Sequence, residues 1–113
     1  GSDDARRRRA AVVTLALSGD GAVARAALIT GYRDESRLVR RAAVDSAADL
    51  ADDAFRPLFE EALVDTDSWI RWRAVRAIAE IGVGSSREAL ALATADEDFR
   101  VRFEAAAAFR SEP

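Results

Sequence analysis

The sequence predicts an all-α fold, a right-handed α-solenoid of stacked helical hairpins with about seven helices and a 31-residue repeat. Three observations predict it. The chain repeats itself at a fixed interval, each period carries the apolar rhythm of helices with no strand pattern, and one helical pair alone cannot bury its own apolar face. Stacking neighbouring pairs solves that last problem, which is why a repeat of this kind reads as a solenoid rather than a bundle.

The repeat is exact in spacing. "DESRLVRRAAVDSAADL" begins at Asp34, "DTDSWIRWRAVRAIAEI" at Asp65 and "DEDFRVRFEAAAAF" at Asp96, each 31 residues after the last. One period earlier, "DDARRRRAAVVTLAL" begins at Asp3. The columns agree in chemistry: Val39, Ile70 and Val101; Arg9, Arg40, Arg71 and Arg102; Val12, Ala43, Ala74 and Ala105. The units are therefore 3–33, 34–64, 65–95 and 96–112 of a single domain over 3–112, with Gly1-Ser2 read as a cloning scar.

Each period opens with a long helix. In the third, Ile70, Ala74, Ala77, Ile78 and Ile81 follow the spacing of a buried stripe. Asp65 and Asp67 precede it as caps and first-turn acids, and Gly82 and Gly84 end it because glycine accepts a left-handed residue after the last turn. A shorter helix follows in each period, at roughly 22–32, 54–64 and 86–94. Its apolar positions are Ala24, Ala27 and Leu28; Phe55, Leu58, Phe59 and Leu63; and Ala89, Leu90 and Leu92. Pro57 stands near a helix start, where a missing N–H costs least.

Composition narrows function. The chain has 113 residues, enough to bury a core without disulfides or metal. It has no Cys and no His, so thiolate metal sites and the commonest general base are excluded from the outset. Every basic residue is Arg, and Lys, Asn and Gln are absent, a usage that reads as coding bias from a GC-rich genome. The net charge of −3 argues against general nucleic-acid binding, which draws most of its affinity from a basic field. No membrane span or signal-peptide core is present, so a soluble, cytoplasmic domain is expected.

The pattern "D.D..VR..AA.A...IG" followed by a short helix resembles HEAT-like repeats of the phycobilisome-lyase type, within the armadillo-type superhelix group. The resemblance spans about residues 3–112, strongest in the third period and weakest in the first, where Arg8 replaces the Val/Ile column. It implies an internal polar ladder in which Asp34, Asp65 and Asp96 pair with Arg40, Arg71 and Arg102 between neighbouring repeats. In the third period either Asp65 or Asp67 can supply the rung. The resemblance implies no shared activity, because such repeats serve as protein-binding scaffolds, as bilin lyases or enzyme regulators, and in some DNA-repair glycosylases.

Opposite the core stripe, Ser68, Trp69, Trp72, Arg73, Arg76 and Glu80 form one continuous strip. The resemblance places that strip on the concave surface. Equivalent columns extend it: Leu38 and Arg100 beside Trp69, and Arg41 and Phe103 beside Trp72. The expected partner-binding set is thus Trp69, Trp72, Arg73, Arg76, Arg41, Leu38, Arg100 and Phe103. Trp and Arg concentrate at the energetic centres of interfaces because they combine large burial with directed polar contacts. Phe99 and Phe103 read equally well as packing between repeats or covering an end of the array.

The run "RRRR" at 6–9 spreads around a helix axis beside Asp3 and Asp4. It reads as a capping helix with a polar outer face, Arg9 turned to the ladder and Arg8 to solvent, in preference to an anion-binding patch. Asp49, Asp52, Asp53, Glu60 and Glu61 lack the spacing of a cation loop and read as caps or solvated face.

The expected function is a non-enzymatic scaffold holding a protein or peptide partner with acidic and apolar residues, with no cofactor and no metal. The alternatives are a nucleic-acid-binding or DNA-repair-type HEAT-like protein, and a regulatory or docking domain of a larger enzyme, including lyase-type subunits. A homodimer through the aromatic strip is a further expectation.

Overall fold

In the computed structural model, which describes residues 2–112, every regular element is helical. Among the described residues the α-helices are α1 (Ser2–Ala16), α2 (Gly21–Tyr32), α3 (Arg37–Leu50), α4 (Arg56–Ala62), α5 (Ser68–Ile81), α6 (Arg87–Ala93) and α7 (Phe99–Arg110). Single 3₁₀ turns at Asp53–Phe55 and Gly84–Ser86 lead into α4 and α6. Seven helices alternating long and short match the periodicity, and none is long and apolar enough to cross a membrane.

Local chemistry sets the ends. Asp20 caps α2 by accepting the N–H groups of Ala22 and Val23, and Asp98 caps α7 through Arg100 N–H. Ahead of the long helices one turn recurs: Asp34, Asp65 and Asp96 accept the N–H of Ser36, Asp67 and Asp98 at 2.9, 2.9 and 2.8 Å. Gly82 ends α5 at φ 100°. One period earlier Ala51 takes the corresponding place at φ 51°, a left-handed conformation that its Cβ opposes. Pro57 lies in the first turn of α4, as expected.

The chain divides between Leu50 and Ala51 into two compact units. In the first, α1, α2 and α3 pack mutually around Val12, Leu28, Val39 and Ala43. Gly31 lets α2 approach closely, since a Cβ there would stand 2.8 Å from Val12 Cγ2 and 3.3 Å from Ala43 Cβ. In the second, α5 packs on α4 and α7, and α6 on α7, around Phe59, Ile70, Val75, Ile78, Leu90 and Val101. Each such side chain contributes about 1.5–3 kcal/mol by leaving water. The rings of Phe55 and Phe59 meet at 6.5 Å between centroids.

Three details differ from the sequence expectation. Leu92, expected to be apolar core, is 75 % exposed, and Ile81 is only half-buried. Arg8, expected in solvent, is the residue that reaches Asp34: its Nε and Nη2 donate to Oδ2 and Oδ1 at 2.7 and 3.0 Å. Arg9 is exposed. The physical reason lies in the start of α1, which already includes Asp3 and so lacks the Asp turn that fixes the ladder arginine in the later periods.

Candidate partner-binding face

Helix α5 presents two faces. Ile70, Ala74, Val75, Ala77 and Ile78 are buried, which turns Trp69, Trp72 and Arg76 away from the core. The two indoles are half-buried and tilted 51° at 6.4 Å between centroids, within the separation at which aromatic pairs attract. The Arg76 guanidinium lies 5.2 Å from the Trp72 ring centre, within cation–π range. Its Nε stands 4.0 Å from Glu104 Oε1 on α7, a long contact between partly exposed groups that adds little stability.

The remaining members of the strip are placed differently. Arg73 is mostly buried and runs along the helix toward Glu80, Nη1 to Oε1 3.7 Å. Arg100 folds back onto Asp98, at 3.4 Å from Nε to Oδ1 and 3.3 Å from Nη2 to Oδ2. That side chain, followed by the Arg100 N–H, holds the Asp98 carboxyl below its ordinary pKa. Phe99 and Phe103 are each 65 % exposed, with Arg110 6.0 Å from the Phe103 ring. Leu38 is exposed and Arg41 half-buried, both on α3 of the first unit. The second unit therefore brings Trp69, Trp72 and Arg76 together, with Glu104 beside them. The face offers a large apolar platform and guanidinium donors. Among the described residues, no three acidic side chains converge as a metal ion would need.

The polar ladder has a definite geometry. Arg71 sends Nη1 to the carbonyl of Asp65 at 2.8 Å, and Nε and Nη2 to the two carboxylate oxygens of Asp96 at 3.0 and 3.2 Å. Arg40 and Arg102 use Nη1 in the same way: Arg40 on the carbonyls of Asp34 and Glu35, Arg102 on those of Asp96 and Glu97. The Arg8 fork is the main influence holding the Asp34 carboxyl below its ordinary pKa, aided by the Ser36 N–H.

A second arginine column went unread in the sequence. Arg25, Arg56 and Arg87 also recur every 31 residues, a spacing that would have revealed them. Arg56 donates to the carbonyls of Val83 and Gly82 at 2.9 and 2.8 Å, to Ser86 Oγ at 2.9 Å and to Asp53. The fully buried Ser86 in turn donates a hydrogen bond from its hydroxyl to Glu60 Oε2 at 2.8 Å. Arg87 reaches Glu112 and lies 5.5 Å from the Phe109 ring centre. In the first unit, Leu15, Val23, Ala27 and Val39 line an apolar groove of about 510 Å³, with Arg8 and Asp34 also in its lining.

A family model for HEAT repeats matches residues 25–110. No curated protein matches the chain.

Proposed function

The chain belongs to the HEAT-repeat family, and from that premise we propose that it takes a protein partner on the outer face of α5, with Trp69 and Trp72 as apolar anchors and Arg76 selecting charge. HEAT repeats generally mediate protein–protein contact and typically work without catalysis. The observation that carries the reading is the Trp69–Trp72–Arg76 cluster itself. The core of α5 is complete without it, so two large aromatics remain half in water beside a guanidinium stacked on one of them.

The chemistry favours a partner segment that alternates apolar and acidic side chains. An aliphatic or aromatic residue gains most by covering the indoles, while a carboxylate meets the outward guanidinium edge of Arg76. Arg100 and Phe103 on α7 extend the same chemistry at the margin.

A displayed peptide library selected against the whole chain tests this. Selected peptides should combine Asp or Glu with large apolar residues, and Trp69→Ala/Trp72→Ala should weaken them by about 2 kcal/mol or more, roughly thirtyfold. Helicity should be retained in the double variant, because neither indole belongs to the core stripe. Equal binding by the double variant overturns the proposal.

A further inference from the structure

We propose that Glu104 makes the α5 face select a partner's ion pair rather than a lone acid. The occupant is a segment that carries a carboxylate and a cation side by side, next to its apolar anchor. This rests on the tryptophan face being a binding surface, and it names the charges that the face selects.

Two arginines of α5 face carboxylates on α7 or just ahead of it, and the two pairs differ in kind. Arg71 forks onto Asp96 at 3.0 and 3.2 Å, with both side chains about nine-tenths buried. Five residues along α5, Arg76 brings its Nε only to 4.0 Å from Glu104 Oε1, beyond hydrogen-bond reach. Here the side chains are 47 % and 32 % exposed, so water reaches both groups. The first pair is a structural rung. The second is a loose surface pair, kept at the tryptophan face because the Arg76 guanidinium lies 5.2 Å from the Trp72 ring centre.

Exchange at the loose pair costs little, because exposed ion pairs contribute little to stability. A partner carboxylate can therefore take the guanidinium edge of Arg76. Arriving alone, it would stand beside the Glu104 carboxylate and leave that group unpaired, and like charges juxtaposed in an interface oppose binding. A cation on the same partner removes that penalty by pairing with Glu104. The pairs then exchange: Arg76 passes from Glu104 to the partner's acid, and Glu104 from Arg76 to the partner's base. An apolar side chain covering the indoles excludes water and strengthens both new pairs. Arg76 and Glu104 lie 4.0 Å apart, so the partner's two charges must be neighbours as well, as they are at positions i and i+4 of a helix.

The chain's net charge of −3 attracts any cation weakly, so the test isolates Glu104 from that general field. Four acetylated, amidated peptides separate the charges: GELFLKG with both, GELFLQG with the acid alone, GQLFLKG with the base alone and GQLFLQG with neither. None contains tryptophan, so the fluorescence of Trp69 and Trp72, the only two in the chain, reports binding at this face. GELFLKG should bind tightest. Replacing its lysine should weaken binding about threefold against the native chain and not at all against Glu104→Gln. Replacing its glutamate should cost at least as much against the native chain and nothing against Arg76→Gln. Unchanged thermal melts establish that both protein variants are folded. A lysine contribution that survives Glu104→Gln overturns the proposal, since it would come from the net charge. Equal binding of GELFLKG and GELFLQG to the native chain also overturns it, and leaves the tryptophan face standing. No fluorescence response to any of the four counts against the face itself, and the proposal falls with it.

Discussion

Arg71 joins two periods with one side chain. Its rung is nearly closed to water, so each partner depends on the other: an Asp96 carboxylate left alone there would cost several kcal/mol. The Arg8–Asp34 rung is more open, with the guanidinium side chain 41 % exposed, and its contribution is best read through acid titration. The Asp34 carboxyl is held below its ordinary pKa, chiefly by the Arg8 hydrogen bonds. Its stabilising contribution is therefore complete above the unfolded value, near pH 4, and is lost as pH falls through the lower folded value. Asp34→Asn should lower the melting temperature at neutral pH and flatten its decline between about pH 4 and 2, as followed by thermal melts across that range. An acid limb as steep as the wild type's would contradict the assignment. That Arg8 forms this rung was not legible in the column alignment, which points to Arg9; a one-residue shift at a helix start lies below what periodicity resolves.

At the scale of the element, Gly31 marks a close helix crossing. A methyl group there meets Val12 Cγ2 at 2.8 Å, and a β-branched side chain has few rotamers into which to retreat. Gly31→Ala should destabilise the fold by about 1–3 kcal/mol despite alanine's better helix propensity, measured by urea unfolding. A stabilising outcome would mean that α1 and α2 separate at no cost. Most of the element pattern was readable: Gly82 ends α5, Pro57 opens α4, and Phe55, Leu58, Phe59 and Leu63 are buried. Val75 was not read as core yet is fully buried, because α5 packs against both α4 and α7 and so buries a wider arc than one stripe. Leu92 errs the other way, standing exposed on a two-turn helix too short for its period to be informative. The grouping of Trp69, Trp72 and Arg76 on one face of α5, proposed here for binding, was legible in their spacing. The inward course of Arg73 and the folding of Arg100 onto Asp98 depend on side-chain partners that spacing does not specify.

For the whole molecule, the decisive property is the locality of its packing. Within each unit, helices pack on neighbours one or two elements away along the chain, as α1 does on α2 and α3, and α5 on α4 and α7. Little chain must be closed into loops before contacts form, so refolding should relax on the order of a millisecond or faster, observable by temperature jump with infrared detection. A dominant phase lasting seconds would require non-local pairing that these units do not contain. The aromatic cluster on α5 has an optical consequence of the same generality. Trp69 and Trp72 are the only two tryptophans, and Tyr32 the only tyrosine. Two indoles 6.4 Å apart and tilted 51° share their excited states, so their far-ultraviolet dichroism should split into a paired band of opposite signs. The chain thus carries an intrinsic chromophore pair on a single face, whose exciton signature changes when either ring turns and is silent to events elsewhere.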